Sequence, residues 1–146
     1  MMPLQNTATF VAIKPQSVTS GATASGYVDC LGYSEAAVDV ALDSQSSTTS
    51  NPSVLKIMES DDTVASNFAA ITAFTGDGVG GFTIPAASGT VPTVVRLNVD
   101  LRKRKRYLKV FVSPDGATQL LGAVVTLGKA ANSTAARASM SAVVDG

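Results

Sequence analysis

The chain has 146 residues, a length that favours one domain with a hydrophobic core of its own. Eleven basic and eleven acidic side chains give a net charge of zero, so no general attraction to nucleic acid or to a membrane surface is expected. Charged residues make up only 15% of the chain, against a usual share of about 25%. Small polar and apolar residues take their place, and such surfaces suit packing against other protein subunits.

Two residue counts restrict the chemistry. The chain contains no His, which removes His-dependent catalytic triads, His-ligated zinc sites and the most frequent general base. Its single cysteine, Cys30, can form no intramolecular disulfide and is expected to be a small buried apolar residue. We therefore predict that the protein is not an enzyme and holds no cofactor or metal.

The N-terminal stretch MMPLQNTATF has neither a basic segment nor an apolar core, so no signal peptide is expected. No run of 18 apolar residues occurs, and no membrane span is expected either. The predicted place of synthesis is the cytoplasm of a cell.

In chain order, the first half alternates apolar and polar residues with a period of two, which indicates strands. The predicted strands here are 8–14, 27–31, 35–43 and 54–60. Small polar residues at 15–26 predict a loop.

A change of period interrupts this pattern at 63–73. Val64, Phe68 and Ile71 recur at three and four residues, which predicts one or two helical turns with Asp61 or Asp62 as N-cap. A glycine-rich turn follows, and the short stretch GFTIP, 81–85, is predicted as a further strand.

The clearest alternation lies at 93–101 and 107–112, which predicts two strands. A Pro-Asp-Gly turn within 113–119 leads to the strand 120–128, whose two apolar faces predict a central or covered position. The sequence thus predicts an all-β protein: a single β-sandwich or jelly-roll-like domain, 1–128, of about seven or eight short strands with at most one short helix. The Ala-rich residues 129–146 are predicted to form a C-terminal arm.

Five consecutive basic residues join the strands 93–101 and 107–112 and are the predicted partner-binding site. They are Arg102, Lys103, Arg104, Lys105 and Arg106. Five residues suit a hairpin connection, so this basic run is predicted to be a hairpin tip. Two roles remain open: a solvated tip that hinders edge pairing, or a contact with an anionic partner.

Tyr107 and Phe111 follow the basic run. Interleaved aromatic and basic residues are typical of single-strand binders, in which bases stack on the rings. Cross-strand packing is the more frequent role of such residues, and nucleic acid is an unexpected partner for a neutral chain.

Three stretches resemble small virion proteins of tailed bacteriophages, which include decoration, or cement, proteins. The stretches are GYVDCLGYSEAAVDVAL (26–42), PSVLKIMESDDTVASNFAAITAFTG (52–76) and RLNVDLRKRKRYLKVFVSPDGATQLLGAVVTLGKA (96–130). They cover over half the chain, and the Asp-Leu-Arg to Tyr-Leu-Lys-Val piece is the most specific. Lys103 departs from the family pattern, in which a small residue such as Gly is more frequent.

The resemblance implies a structural virion protein that binds the outside of an assembled phage head and stabilises it. It further implies a homotrimer, the major capsid protein as partner and the capsid surface of the virion as location. The basic run would then meet an acidic capsid patch or acidic residues of a neighbouring subunit. A tail or head–tail connector component and a nucleic-acid-binding β module that uses residues 102–106 remain the alternatives.

Overall fold

The computed structural model describes residues 7–45, 52–85 and 89–129. They form eight strands: β1 (Thr7–Val18), β2 (Ala24–Asp29), β3 (Glu35–Leu42), β4 (Val54–Ser60), β5 (Ala69–Thr75), β6 (Thr93–Asp100), β7 (Tyr107–Ser113) and β8 (Gln119–Gly128). Two single 3₁₀ turns, Ala65–Asn67 and Leu101–Lys103, complete the regular structure of these residues.

The strands form two four-stranded antiparallel sheets. Sheet A has the order β1-β8-β3-β6 and sheet B the order β2-β7-β4-β5. This interleaved order, in which the chain crosses repeatedly from one sheet to the other, is that of a jelly roll. The predicted all-β sandwich is therefore confirmed.

The core lies between the two sheets and follows from the alternation in the sequence. In β6 the alternate residues Val95, Leu97 and Val99 are buried, and in β7 Leu108, Val110 and Val112 have almost no exposed surface. Strand β8 pairs with β1 on one side and β3 on the other, so the central position predicted from its two apolar faces is confirmed.

The helix predicted at 63–73 is wrong. Residues 65–67 form one 3₁₀ turn, and 69–75 form β5. Phe68 packs on the outer face of sheet B beside Tyr27 and Lys109, whereas Ile71 enters the core. Two apolar residues that serve opposite faces of a sheet mimicked the spacing of one helical face.

The hairpin predicted at 93–112 is also wrong. Strand β6 pairs with β3 in sheet A, and β7 pairs with β2 and β4 in sheet B. Strand β6 covers the core from the side of sheet A, and strand β7 covers it from the side of sheet B. The basic run is therefore the connection that crosses from one sheet to the other.

Several boundaries differ from the predictions, and strand β2 begins at Ala24, inside the predicted loop 15–26, and ends at Asp29 rather than at 31. Strand β1 continues to Val18, past Pro15 and through two register irregularities near Ile13, because an edge strand tolerates a proline and bulges. The predicted strand 81–85 is reduced to a single bridge between Gly76 and Phe82. Of the predicted arm, only Lys129 belongs to the described residues.

The sandwich has two ends. The connections 30–34, 61–68 and 101–106 lie together at one end, here called the charged end, and strands β2, β4, β6 and β8 begin at the other. In the described part of the chain, no helix is long and apolar enough to cross a membrane.

Candidate functional site

The charged end brings acidic residues to the predicted basic site. Six carboxylates lie at or next to the strand ends that meet there: Asp29, Glu35, Glu59, Asp61, Asp62 and Asp100. The five basic residues therefore face six acidic ones, and this end carries no excess of positive charge. These acidic residues lie far apart in the sequence, and the sheet order brings them together at this end.

Two arginines of the run form bidentate ion pairs. Arg102 donates to both carboxylate oxygens of Asp100 at 2.8 and 2.6 Å, and Arg106 donates to both oxygens of Asp29 at 3.0 and 2.8 Å. The hydrogen bonds from Arg102 lower the pKa of Asp100 to about 2. Those from Arg106 likewise lower the pKa of Asp29.

Glu59 of strand β4 holds the middle of the run. Its carboxylate accepts from the Arg104 side chain at 3.3 Å and from the backbone N–H of Lys105 at 3.0 Å. Within the described part of the chain, the ammonium groups of Lys103 and Lys105 form no ion pair. Three arginines thus fix the connection between the sheets, and two lysines remain for solvent or for a partner.

The outer face of sheet B is an aromatic and cationic surface whose members contact one another. Lys109 lies over Phe68 at 5.1 Å, and Lys56 lies over Phe111 at 5.0 Å. Tyr27 packs edge-on against Tyr107 at 5.8 Å. The cross-strand packing predicted for Tyr107 and Phe111 is present, and the cations on this face already have aromatic partners.

The outer face of sheet A is apolar at the half farther from the charged end. Its exposed side chains include Val11 (60% exposed), Val94 (64%), Leu120 (47%) and Val124 (36%). Gly122 and Ala41 pair in register between them. Because these two residues have little or no side chain, they leave a depression at the centre of the patch. Together these side chains line a shallow groove of about 570 Å³, here called the apolar face.

One ion pair borders the apolar face. Arg96 of β6 donates to both carboxylate oxygens of Asp39 of β3 at 2.7 and 2.9 Å. The two residues lie directly opposite each other on the paired strands. The hydrogen bonds lower the pKa of Asp39, so both groups remain charged and neutralise each other at neutral pH. The surface offers a partner little net charge to desolvate.

Sequence reasoning did not single out the apolar face. Its residues come from β1, β3, β6 and β8, and each strand alone shows only one or two outward apolar positions. The available signal was the two-sided apolar pattern of 120–128, which predicted a central or covered strand. The structure confirms that β8 is central, yet Leu120 and Val124 of this strand have an uncovered outer side.

Cys30 has the environment predicted for it. The side chain is 5% exposed, and burial raises the pKa of its thiol to about 11, so the reactive thiolate is scarce at neutral pH. No group of three or more metal-ligating side chains occurs in the ranges that the structure describes. The carboxylate of Asp77 accepts a hydrogen bond from the backbone N–H of Ile84.

Comparisons with known proteins do not identify a family for this chain. No known protein family matches the chain, and no curated protein matches it. A chain in a structure of infectious bursal disease virus, Gx strain, is 10% identical, with 84% of this chain and 32% of that chain covered at a TM-score of 0.46. A family GH115 4-O-methyl-α-glucuronidase with specificity for decorated arabinogalactans is 8% identical, with 85% of this chain and 16% of that chain covered at a TM-score of 0.42.

The chain therefore spans a third or less of the length of these two proteins. Their TM-scores are too low for either likeness to carry an argument about function.

Proposed function

We propose that this protein is a structural virion protein that decorates the outside of an assembled bacteriophage head and stabilises it. The observation that carries the proposal is the apolar face. The apolar face lies on the outer side of sheet A, whereas the hydrophobic core lies between the two sheets. The side chains of the apolar face are therefore not needed to form that core. Contiguous apolar surface rimmed by polar groups marks a protein-binding site on many folded proteins.

The physical properties of the apolar face suit a protein partner. Burial of one half-exposed Val or Leu contributes about 1 kcal/mol, so four such residues give a modest affinity for a single copy. Repeated copies in an oligomer on a repeating surface raise the overall affinity by avidity. A protein that binds only the assembled shell stabilises that shell by mass action.

Two further features support the proposal. The sequence resembles small phage virion proteins over the stretches 26–42, 52–76 and 96–130, and the jelly-roll order is used by viral capsid domains and lectins among others. The second point is a fold-level analogy and carries less weight, because one fold serves many functions.

The charged end is the weaker candidate for the main contact. Arg102, Arg104 and Arg106 are bound to carboxylates of the same chain, so a nucleic acid would have to displace these partners. We assign the apolar face to the major capsid protein and leave Lys103 and Lys105 as the cations that can meet an acidic patch.

Co-sedimentation with phage heads stripped of accessory proteins tests the proposal. The purified protein is titrated onto heads, and the bound copies per major capsid subunit are quantified. We expect saturation at a fixed ratio and an increase in the temperature at which the heads disrupt. Absence of saturable binding would contradict the decoration role, and binding to isolated tails instead would favour a tail component.

A further inference from the structure

The depression at the centre of the apolar face, here called the hollow, has two small residues as its floor. Outward-facing residues follow each other along β8 in the order Leu120, Gly122 and Val124, and Gly122 pairs with Ala41 of β3. Leu120 and Val124 are four residues apart, or about 13 Å along the strand. Gly122 and Ala41 therefore lie between two larger apolar side chains.

Two further walls enclose the hollow across the strands. On one side Ala41 pairs with Val94 of the edge strand β6, and the side chain of Val94 is 64% exposed. On the other side an irregularity in the register of β1 brings Pro15 over Gly122, where an added Cβ atom would lie 3.4 Å from the Cα atom of Pro15. Three strand spacings, or about 14 Å, separate these two walls.

The shape of the hollow favours an inserted side chain over a flat contact. A flat surface would rest on the walls and leave the floor unfilled, which forfeits dispersion contacts that a close-packed interface makes. The space of about 570 Å³ lies in the range of pockets that hold small molecules, so a bulky apolar side chain fits. Large side chains in desolvated pockets carry most of the binding energy at protein interfaces.

Size and shape argue against a second copy of this chain on the same face. The apolar face measures about 13 by 14 Å, or roughly 180 Å², whereas a stable interface buries about 800 Å² on each partner. A twofold contact centred on this face would also set one hollow against the other, and neither copy would fill its partner. A protruding segment of another protein fits better.

One carboxylate at the rim of the hollow has no counter-charge. Arg96 pairs with Asp39, so these two charges cancel. Asp43 also borders the hollow and forms no ion pair with any residue of the described ranges 7–45, 52–85 and 89–129. A basic group beside the inserted side chain would complement Asp43.

We propose that the hollow receives a bulky apolar side chain of the major capsid protein, flanked by a basic residue that meets Asp43. The inference rests on the proposed decoration function and adds the chemistry of the segment that docks. Ala41 keeps the hollow open and so determines which partner segment fits.

Filling the hollow tests the proposal. Ala41 is exposed, and Ala41→Leu adds apolar area to the face, so it should strengthen a contact that depends on apolar area alone. If a partner side chain enters the hollow, the added Leu takes its place and collides with it. In co-sedimentation with stripped phage heads, we expect Ala41→Leu to weaken binding at least tenfold and Ala41→Val to weaken it by a smaller factor.

Ala37→Leu is the matched control. Ala37 lies on the same outer side of β3, opposite Thr126 and Asn98, and is outside the apolar face. We expect this variant to bind heads as the native protein does, and all three variants to keep the native melting temperature. Native or tighter binding by both Ala41 variants would overturn the proposal and leave the decoration role intact.

The basic residue of the partner is tested by Asp43→Asn. This variant removes the charge and retains an oxygen that can accept the hydrogen bond from the backbone N–H of Ser44. We expect several-fold weaker binding to heads and a smaller dependence of binding on salt. Unchanged affinity and salt dependence would contradict a basic group at this rim.

A small probe separates the hollow from the decoration role. Indole is titrated onto the ¹⁵N-labelled protein, and the amide resonances of Ala41, Gly122 and Val94 are followed by NMR. We expect saturable shifts that Ala41→Leu abolishes. Shifts without any binding to heads would contradict the decoration role alone, whereas the absence of shifts in the native protein would overturn the hollow as a site for a bulky apolar group.

Discussion

The outer faces of the two sheets use their side chains in opposite ways. On sheet B, the rings of Tyr27, Phe68 and Tyr107 contact each other or the side-chain cation of Lys109 or Arg106. On sheet A, Val94 and Leu120 project from a complete sandwich and remain largely exposed. The first face stabilises the monomer, whereas the second adds little to it and is suited to a partner.

The largest expected effect on stability is on sheet B. Phe68 is 7% exposed and packs against Tyr27 and Lys109, so Phe68→Ala should lower the free energy of unfolding by about 3 kcal/mol. Val94→Ala on sheet A should change it by no more than about 0.5 kcal/mol. Urea denaturation measures both, and equal losses would remove the distinction between the faces.

For binding to phage heads, substitutions on sheet A are expected to have the larger effect. Val94→Asp combined with Leu120→Asp should weaken binding to stripped phage heads at least tenfold, because charges are placed in a surface that the partner must desolvate. The matched control is Val79→Asp, since Val79 is 99% exposed and lies outside the apolar face. Normal binding by the double variant would exclude the apolar face as the contact.

Much of this contrast could not be predicted from the sequence. Alternation in 35–43, 93–101 and 107–112 identified strands and their buried sides, because one strand suffices to show a period of two. Which strands pair, and in which sheet, depends on contacts between residues distant in the chain. For that reason the basic run was predicted as a hairpin tip, and its acidic partners, such as Asp29 and Glu59, could not be identified.

A smaller effect is expected at the charged end. Lys103→Ser combined with Lys105→Ser should weaken binding to heads less than about threefold and reduce its dependence on salt, because these exposed cations are screened. Replacement of all five residues Arg102–Arg106 by Ser also breaks the ion pairs that fix the connection. Its effect on binding should therefore be accompanied by a lower melting temperature, which calorimetry can detect.

The smallest effect is an acid dependence of stability. Asp29, Asp62 and Asp100 have pKa values lowered by hydrogen bonds, Asp100 to about 2. A carboxyl with a lowered pKa in the folded state stabilises the fold above its unfolded pKa of about 4 and loses that contribution as the pH falls towards 2. Asp100→Asn should reduce the loss of stability between pH 5 and pH 2.5 in urea denaturation, and an unchanged loss would contradict the role of its ion pair.

Hydroxyl-radical footprinting of the protein, free and bound to phage heads, tests most directly the claim that the apolar face is the docking surface. Oxidation at Val11, Val94 and Leu120 should fall several-fold on binding, while oxidation at Tyr27, which is 49% exposed on sheet B, should stay unchanged. Protection of Tyr27 with full oxidation of the apolar face would contradict the account and place the contact on sheet B.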